Sequence, residues 1–291
     1  RWKTFGQESM PNAQIGLILS SNLLLLTEGN RSITFSLTLD PALLTPELSL
    51  QITTSLNNIE NPPFVIELTG EKDWHKVDWT ATFVGNTLNF SLVLGFDHDP
   101  IVALPADHPD YIGVQPMLRI KLADYSSQIG TADDPSPYSL FGQFTFVNAQ
   151  LIVNVAGLQP SLLRNDRVLI KAGEPFEPFG NNPRPGSRFS FLHPEIVQKR
   201  LDAMSLNIGW MGHPNFASTY VNYSGSRTSS ANYFANIRLY DQGEVSTYVT
   251  SPGTETDYAF INSANTVLNL IFSNQQSGPV YAPMSGAKVE D

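Results

Sequence analysis

The sequence predicts a mainly β protein with a minor α+β part: an antiparallel β-sandwich domain over residues 1–156, then a smaller α+β domain over 157–291. Three observations carry that expectation. Apolar and polar residues alternate through most of the first half, which sends successive side chains to opposite faces of a strand. A dense Pro/Gly stretch over 174–186 admits no regular element. One segment, 193–204, has the period of a helix instead.

Taken in order, Ile33, Phe35, Leu37 and Leu39 alternate with Thr34, Ser36 and Thr38. Phe64, Ile66 and Leu68 follow the stop signal Pro62-Pro63. Val77, Trp79, Ala81 and Phe83 read as one strand, alternating with Asp78, Thr80 and Thr82. The turn Val84-Gly85-Asn86 then leads into Leu88, Phe90, Leu92 and Leu94. That pair is a hairpin, because Gly-Asn supplies the positive φ that a tight turn needs. Leu118, Ile120 and Leu122 form another strand, and 144–155 a long or broken one. Two Pro- and Asp-rich connections, 97–116 and 124–139, interrupt the pattern; loops of such length are usually functional or partner-bound. They carry apolar residues, among them Ile101, Leu104, Tyr111, Ile112 and Tyr138, that a solvated loop does not ordinarily hold. These are expected at interfaces.

In the second half, Phe176 and Phe179 anchor the Pro/Gly stretch as an ordered loop, with both rings expected to be buried against the second domain or a neighbouring subunit. Pro194 suits the first position of the following helix and Glu195 its positive end. Ile196, Val197, Leu201 and Met204 share one face. Strands resume around 206–210, 235–239 and 268–272.

Only 15% of the 291 residues are charged, against about 25% in an average domain. Such a surface is filled by Ser, Thr, Asn and Gln or covered by partners, and a mixture of both is expected. The formal charge of −10, with no cationic run longer than Lys199-Arg200, disfavours nucleic acid as a partner, since phosphates require clustered cations. The chain has no cysteine, which removes disulfides, thiolate metal sites and Cys nucleophiles. The longest apolar run, Leu23 to Leu26, falls far short of a spanning helix of about 20 residues, so no direct membrane insertion is expected. No charged segment followed by an apolar one opens the sequence, so no signal peptide is expected within it. Beginning at Arg1, it reads as part of something longer.

Three clusters invite a chemical reading. Asp97-His98-Asp99 with Asp107-His108-Pro109-Asp110 offers oxygen ligands for a cation, but the spacing is not that of an EF-hand, and Asx residues beside Pro are ordinary turn formers. His193-Pro194-Glu195 has the His-x-Glu of zinc deaminases without the Pro-Cys-x-x-Cys those sites require; it reads as a helix start. Asp73, Trp74, His75, Asp78 and Trp79 resemble a sugar platform with carboxylates. On a strand, however, Asp73 and His75 face away from Trp74 and Asp78, and Trp79 reads as core. No His-Glu-x-x-His, Gly-x-Ser-x-Gly or phosphate-cradling loop occurs. The expectation is no catalytic residue, no metal and no cofactor.

The most specific stretch is Glu174-Pro-Phe-Glu-Pro-Phe-Gly-Asn-Asn-Pro-Arg-Pro-Gly-Ser-Arg-Phe189, followed by Glu195-Ile-Val-Gln-Lys-Arg-Leu201 and Leu206-Asn-Ile-Gly-Trp210. It resembles the signature of baseplate J-like wedge proteins of extracellular contractile injection systems, the antifeeding-prophage and virulence-cassette particles. Leu26, Glu28-Gly29, Arg31 and the strand after them are similar to the same family's N-terminal segment. The likeness covers most of 15–240 and is densest over 174–210. It implies a structural subunit that joins neighbouring copies or paralogues in a six-fold ring around hub and spike. Such a subunit also contacts sheath-proximal proteins, helps couple the ring to sheath contraction, and has no active site. It implies assembly in the bacterial cytoplasm and then a place in a released extracellular particle. The residues so marked as structural or interfacial are Phe176, Phe179, Gly180, Pro183, Gly186, Phe189 and Trp210, with Tyr111, Ile112 and Tyr138 from the long connections. The rival classes are a carbohydrate- or receptor-binding sandwich of a tail fibre or adhesin, and a glycosidase-like enzyme with two carboxylates on one concave face.

Overall fold

In the computed structural model, the period-two segments of the first half become strands of two four-stranded antiparallel sheets. The structure describes residues 16–123, 137–142, 144–184, 186–199, 203–209, 222, 236–241, 244–249 and 267–273. The chain divides into two units, Arg1–Leu158 and Gln159–Asp291, and the protein is mainly β with a minor helical part.

The first unit runs β1 (Gly16–Ser20), β2 (Asn30–Leu39), α1 (Pro46–Leu56), β3 (Phe64–Thr69), β4 (Trp74–Val77), β5 (Thr80–Val84), β6 (Thr87–Leu94), β7 (Met117–Leu122), α2 (Pro137–Phe141) and β8 (Phe146–Ala156). One sheet has the order β1-β7-β3-β4 and the other β5-β6-β2-β8. They pack face to face, because the apolar member of each alternating pair points inward: Ile33, Phe35 and Leu37 of β2, Phe90 of β6, and Phe64 and Ile66 of β3 share one buried core. Phe64 meets Phe90 across the two sheets edge to face at 5.1 Å and Phe141 of α2 at 4.6 Å. Burying each such side chain contributes roughly 1.5–3 kcal/mol.

The Gly85-Asn86 turn joins β5 and β6 as expected, with Val84 opposite Thr87 and Gly85 at φ +63°. Asn86 also ties the hairpin to the end of β2, accepting from the Leu39 N–H at 2.7 Å. The single strand expected through Val77 and Phe83 is in fact two. Trp74–Val77 belongs to one sheet and Thr80–Val84 to the other. Asp78-Trp79 is the corner where the chain changes sheet, and the Trp79 ring turns in against Phe64 and Phe90 at 6.0 and 5.7 Å. Strand β8 ends at Gly157, whose φ is +77° and where a Cβ would come within 2.5 Å of the Phe96 ring.

The outward faces of the two sheets differ. On β1-β7-β3-β4 they carry Glu67, Lys76, Arg119 and Lys121. On β5-β6-β2-β8, Thr34 sits between Ser91 and Ile152, Ser36 between Asn89 and Gln150, and Thr38 between Thr87 and Asn148. The one ionisable residue in those four strands is Arg31, and it is buried.

The longest described helix is α1, which the sequence reading missed. Thr45 caps it, its Oγ1 accepting from the Leu48 N–H at 3.2 Å, with Pro46 and Glu47 in the first turn. The helix expected over 193–204 shrinks to α3 (Pro194–Val197). His193 caps it, Nδ1 accepting from the Glu195 N–H at 3.1 Å. Ala203 and Met204 instead belong to a strand, paired with Ser273 and Phe272; sheet pairing takes the last residues of the apolar pattern away from the helix.

The second unit holds β9 (Leu162–Asn165), β10 (Leu169–Ile170) and β11 (Phe189–Leu192) in the order β10-β9-β11. Two antiparallel pairs follow: β12 (Ala203–Gly209) with β15 (Val267–Ser273), and β13 (Asn236–Asp241) with β14 (Glu244–Val249).

Candidate functional site

Two polar clusters that are far apart in sequence meet on the outer face of β3, β4 and β7. Arg119 on β7 lies over the Trp74 ring, 4.0 Å from its centroid. Its Nε donates to Glu67 of β3 at 2.7 Å and its Nη1 to Asp110 at 3.0 Å. Trp74 donates its indole N–H to the same Asp110 oxygen at 3.0 Å. Lys121 donates to Glu67 at 3.1 Å. At the edge, a His108 ring nitrogen lies 3.3 Å from Asp73 Oδ1, which also accepts from the Trp74 N–H at 2.7 Å. That backbone bond, followed by the His108 contact, holds the Asp73 carboxyl below the usual carboxylate range.

These contacts fasten the 97–116 connection to the sheet. Glu67 and Asp110 both bond the same guanidinium. The Trp74 face carrying Arg119 is closed to a sugar ring. The sequence separated Asp73 from Trp74 by strand parity; the acid that Trp74 meets is instead Asp110, from the loop.

A second clamp holds the start of the same loop. Arg31 is buried, and its Nη1 donates to the Leu26 and Asp99 carbonyls, both at 3.1 Å. Its Nη2 donates to Gly95 O at 2.9 Å and His98 O at 2.7 Å. Burial lowers the Arg31 pKa, and the charge of Asp99 opposes that shift. Arg31 figured in the sequence only within a motif; nothing local marked it as the loop's anchor.

The apolar residues of this connection divide. Ile101 and Leu104, expected at an interface, lie in the unit's own interior, Ile101 through a bridge to Leu26. Tyr111 is half-buried. Ile112 is 66% exposed and Val114 82%. Most of 124–139 lies outside the described residues, as does Trp210; Tyr138 falls in α2, its side chain likewise outside them.

The Pro/Gly loop is turned sharply at Gly180 and Gly186, with φ of +74° and +91°. Asn165 of β9 reaches the Glu177 carbonyl at 3.5 Å, and the Arg188 N–H donates to Asp166 at 2.8 Å. Phe176 stacks on Phe189 at 5.4 Å. Phe176 and Phe179, expected to be buried against the second domain or a neighbouring subunit, are 41% and 45% exposed in the single chain. Pro183 is also exposed.

Among the described residues no group of His, Cys, Asp or Glu stands ready to hold a metal, and no helix is long and apolar enough to cross a membrane. Fold and site together define a two-unit, antiparallel-β protein whose long loops are fixed by side-chain clamps. No protein-family model matches the chain, and no curated protein matches it.

Proposed function

We propose that this protein is a non-catalytic structural subunit, of the baseplate wedge type, in a phage-tail-like contractile injection particle. The observation that carries the reading is the exposure of apolar side chains on clamped loops: Ile112 and Val114 in the first unit, Phe176 and Phe179 in the second. Apolar groups held out by fixed backbone lose little entropy on docking and serve as interface anchors. The Pro/Gly stretch that presents Phe176 and Phe179 is also where the sequence most resembles the wedge family. Its neighbours would be other baseplate subunits in a six-fold ring, with hub, spike and sheath-proximal proteins. It would be assembled in the bacterial cytoplasm and released with the particle.

Deleting the gene in a producing bacterium and imaging the particles by negative stain tests this. Sheaths and tubes without an assembled baseplate are expected. Complete, contractile particles from the deletion strain refute the proposal.

A further inference from the structure

Two side-chain donors meet at the carbonyl of the Asp99–Pro100 bond. The Asp99 oxygen accepts from Arg31 Nη1 at 3.1 Å and from His98 Nδ1 at 2.9 Å. The guanidinium is held in place by its other bonds, to the Leu26, Gly95 and His98 carbonyls. Fixed donors of this kind stabilise negative charge as it arrives on an oxygen.

The same bond brings its own nucleophile and leaving group. The Asp99 side chain is largely exposed, with His75 Nδ1 3.9 Å from Oδ2. Because carboxylate and carbonyl belong to one residue, attack closes a five-membered ring and no second reactant has to be brought in. The nitrogen to be expelled is that of Pro100, a tertiary amide, and it leaves more readily than an ordinary peptide nitrogen because it is more basic.

We infer that the folded chain cleaves itself between Asp99 and Pro100. A carboxylate oxygen of Asp99 attacks its own carbonyl carbon, and the electron pair moves onto the oxygen held by Arg31 and His98. Collapse breaks the C–N bond, and the Pro100 nitrogen takes a proton from water to become an amine. The cyclic anhydride left on Asp99 takes up water and opens to two carboxylates. The sum is hydrolysis of one peptide bond, with water as the co-reactant. The pieces stay together, because β7 pairs with β1 and β3, and β8 with β2. The cleavage is a single event within the chain and does not rest on the proposed role in a particle.

Two other Asp–Pro bonds, Asp40–Pro41 and Asp134–Pro135, serve as internal standards. Asp40 turns its carboxylate to the Ala42 N–H at 3.1 Å; Asp134 lies outside the described residues. Denaturing mass spectrometry of the purified full chain, held in mildly acidic buffer, tests the inference. Fragments ending at Asp99 and beginning at Pro100 are expected about ten-fold or more faster than those from the other two bonds, and unfolding in urea is expected to abolish the preference. Asp99→Asn removes the nucleophile and should stop this cut. His98→Ala removes one donor and should slow it about ten-fold or more. Both changes lie in a loop, and circular dichroism checks that the fold is kept. A chain that stays intact, equal rates at the three bonds in the folded state, or unaltered cleavage in either variant overturns the inference. Any of these failures leaves the particle role to its own deletion test.

Discussion

Trp74 and Asp110 lie 36 residues apart and are joined by an indole hydrogen bond of 3.0 Å, with Arg119 bonded to the one and stacked on the other. The loop between β6 and β7 is thereby fixed at its far end, as Arg31 fixes it at its start. Its apolar tip at Ile112 and Val114 is presented from an anchored base.

Removing Arg119 should loosen that base without unfolding the sandwich. Arg119→Met leaves Asp110 without its cation and Trp74 without its stacking partner. A loss of about 1–3 kcal/mol is expected. Hydrogen exchange should rise over 105–112 and stay unchanged in β2 and β6.

Arg31 should matter more. Arg31→Met removes four hydrogen bonds from the buried start of the loop; the Leu26 and Gly95 carbonyls keep the Ile101 and His98 N–H groups, while the His98 carbonyl loses its donor, and an unsatisfied buried group costs about 1–3 kcal/mol. A loss of several kcal/mol in urea melts is the expected outcome. Arg31→Lys should recover part of it, since an ammonium has three donors and no planar fork.

The buried pair of the second unit behaves differently. Lys199 donates to Glu195 at 2.5 Å, and both side chains are largely buried. Lys199→Met leaves a buried carboxylate without its cation and should cost about 3–5 kcal/mol. Lys199→Met with Glu195→Gln should cost less than the single change. Burial lowers the Lys199 pKa and Glu195 opposes the shift. The folded chain therefore binds fewer protons here than the unfolded one. This group's contribution to stability rises with pH between its folded value and the unfolded value of about 10.4.

Phe179→Ala should do little to the isolated protein. A ring 45% exposed has surrendered only part of its surface, so a loss of about 1 kcal/mol is expected in thermal melts. Incorporation into particles, measured by quantitative mass spectrometry, should fall much further.

Local pattern revealed those parts of the fold whose burial follows chain parity. Strands β2, β6 and β7 lie inside their sheets, so Phe35, Phe90 and Ile120 are buried where alternation puts them. The Gly85-Asn86 turn carries its own geometry. Helix α1 was hidden because it buries only Ile52 among its residues and contains the β-branched run Ile52-Thr53-Thr54; Thr45-Pro46-Glu47 was the signal available. The corner at Asp78-Trp79 was invisible because both residues keep the strand alternation. The Trp74–Asp110 and Arg31–His98 contacts span loops, and no sequence window holds both partners. Ile101 and Leu104 misled for the same reason: an apolar residue in a long loop can fill its own unit's interior as well as a partner's.

The proposed role turns on whether the exposed apolar groups are covered in an assembly. Hydroxyl-radical footprinting of Ile112, Val114, Phe176 and Phe179, read in the isolated chain and in purified particles, measures that coverage directly. The account predicts strong labelling of all four in the isolated chain and marked protection in the particle. Equal labelling in both, or absence of the chain from purified particles, would contradict it.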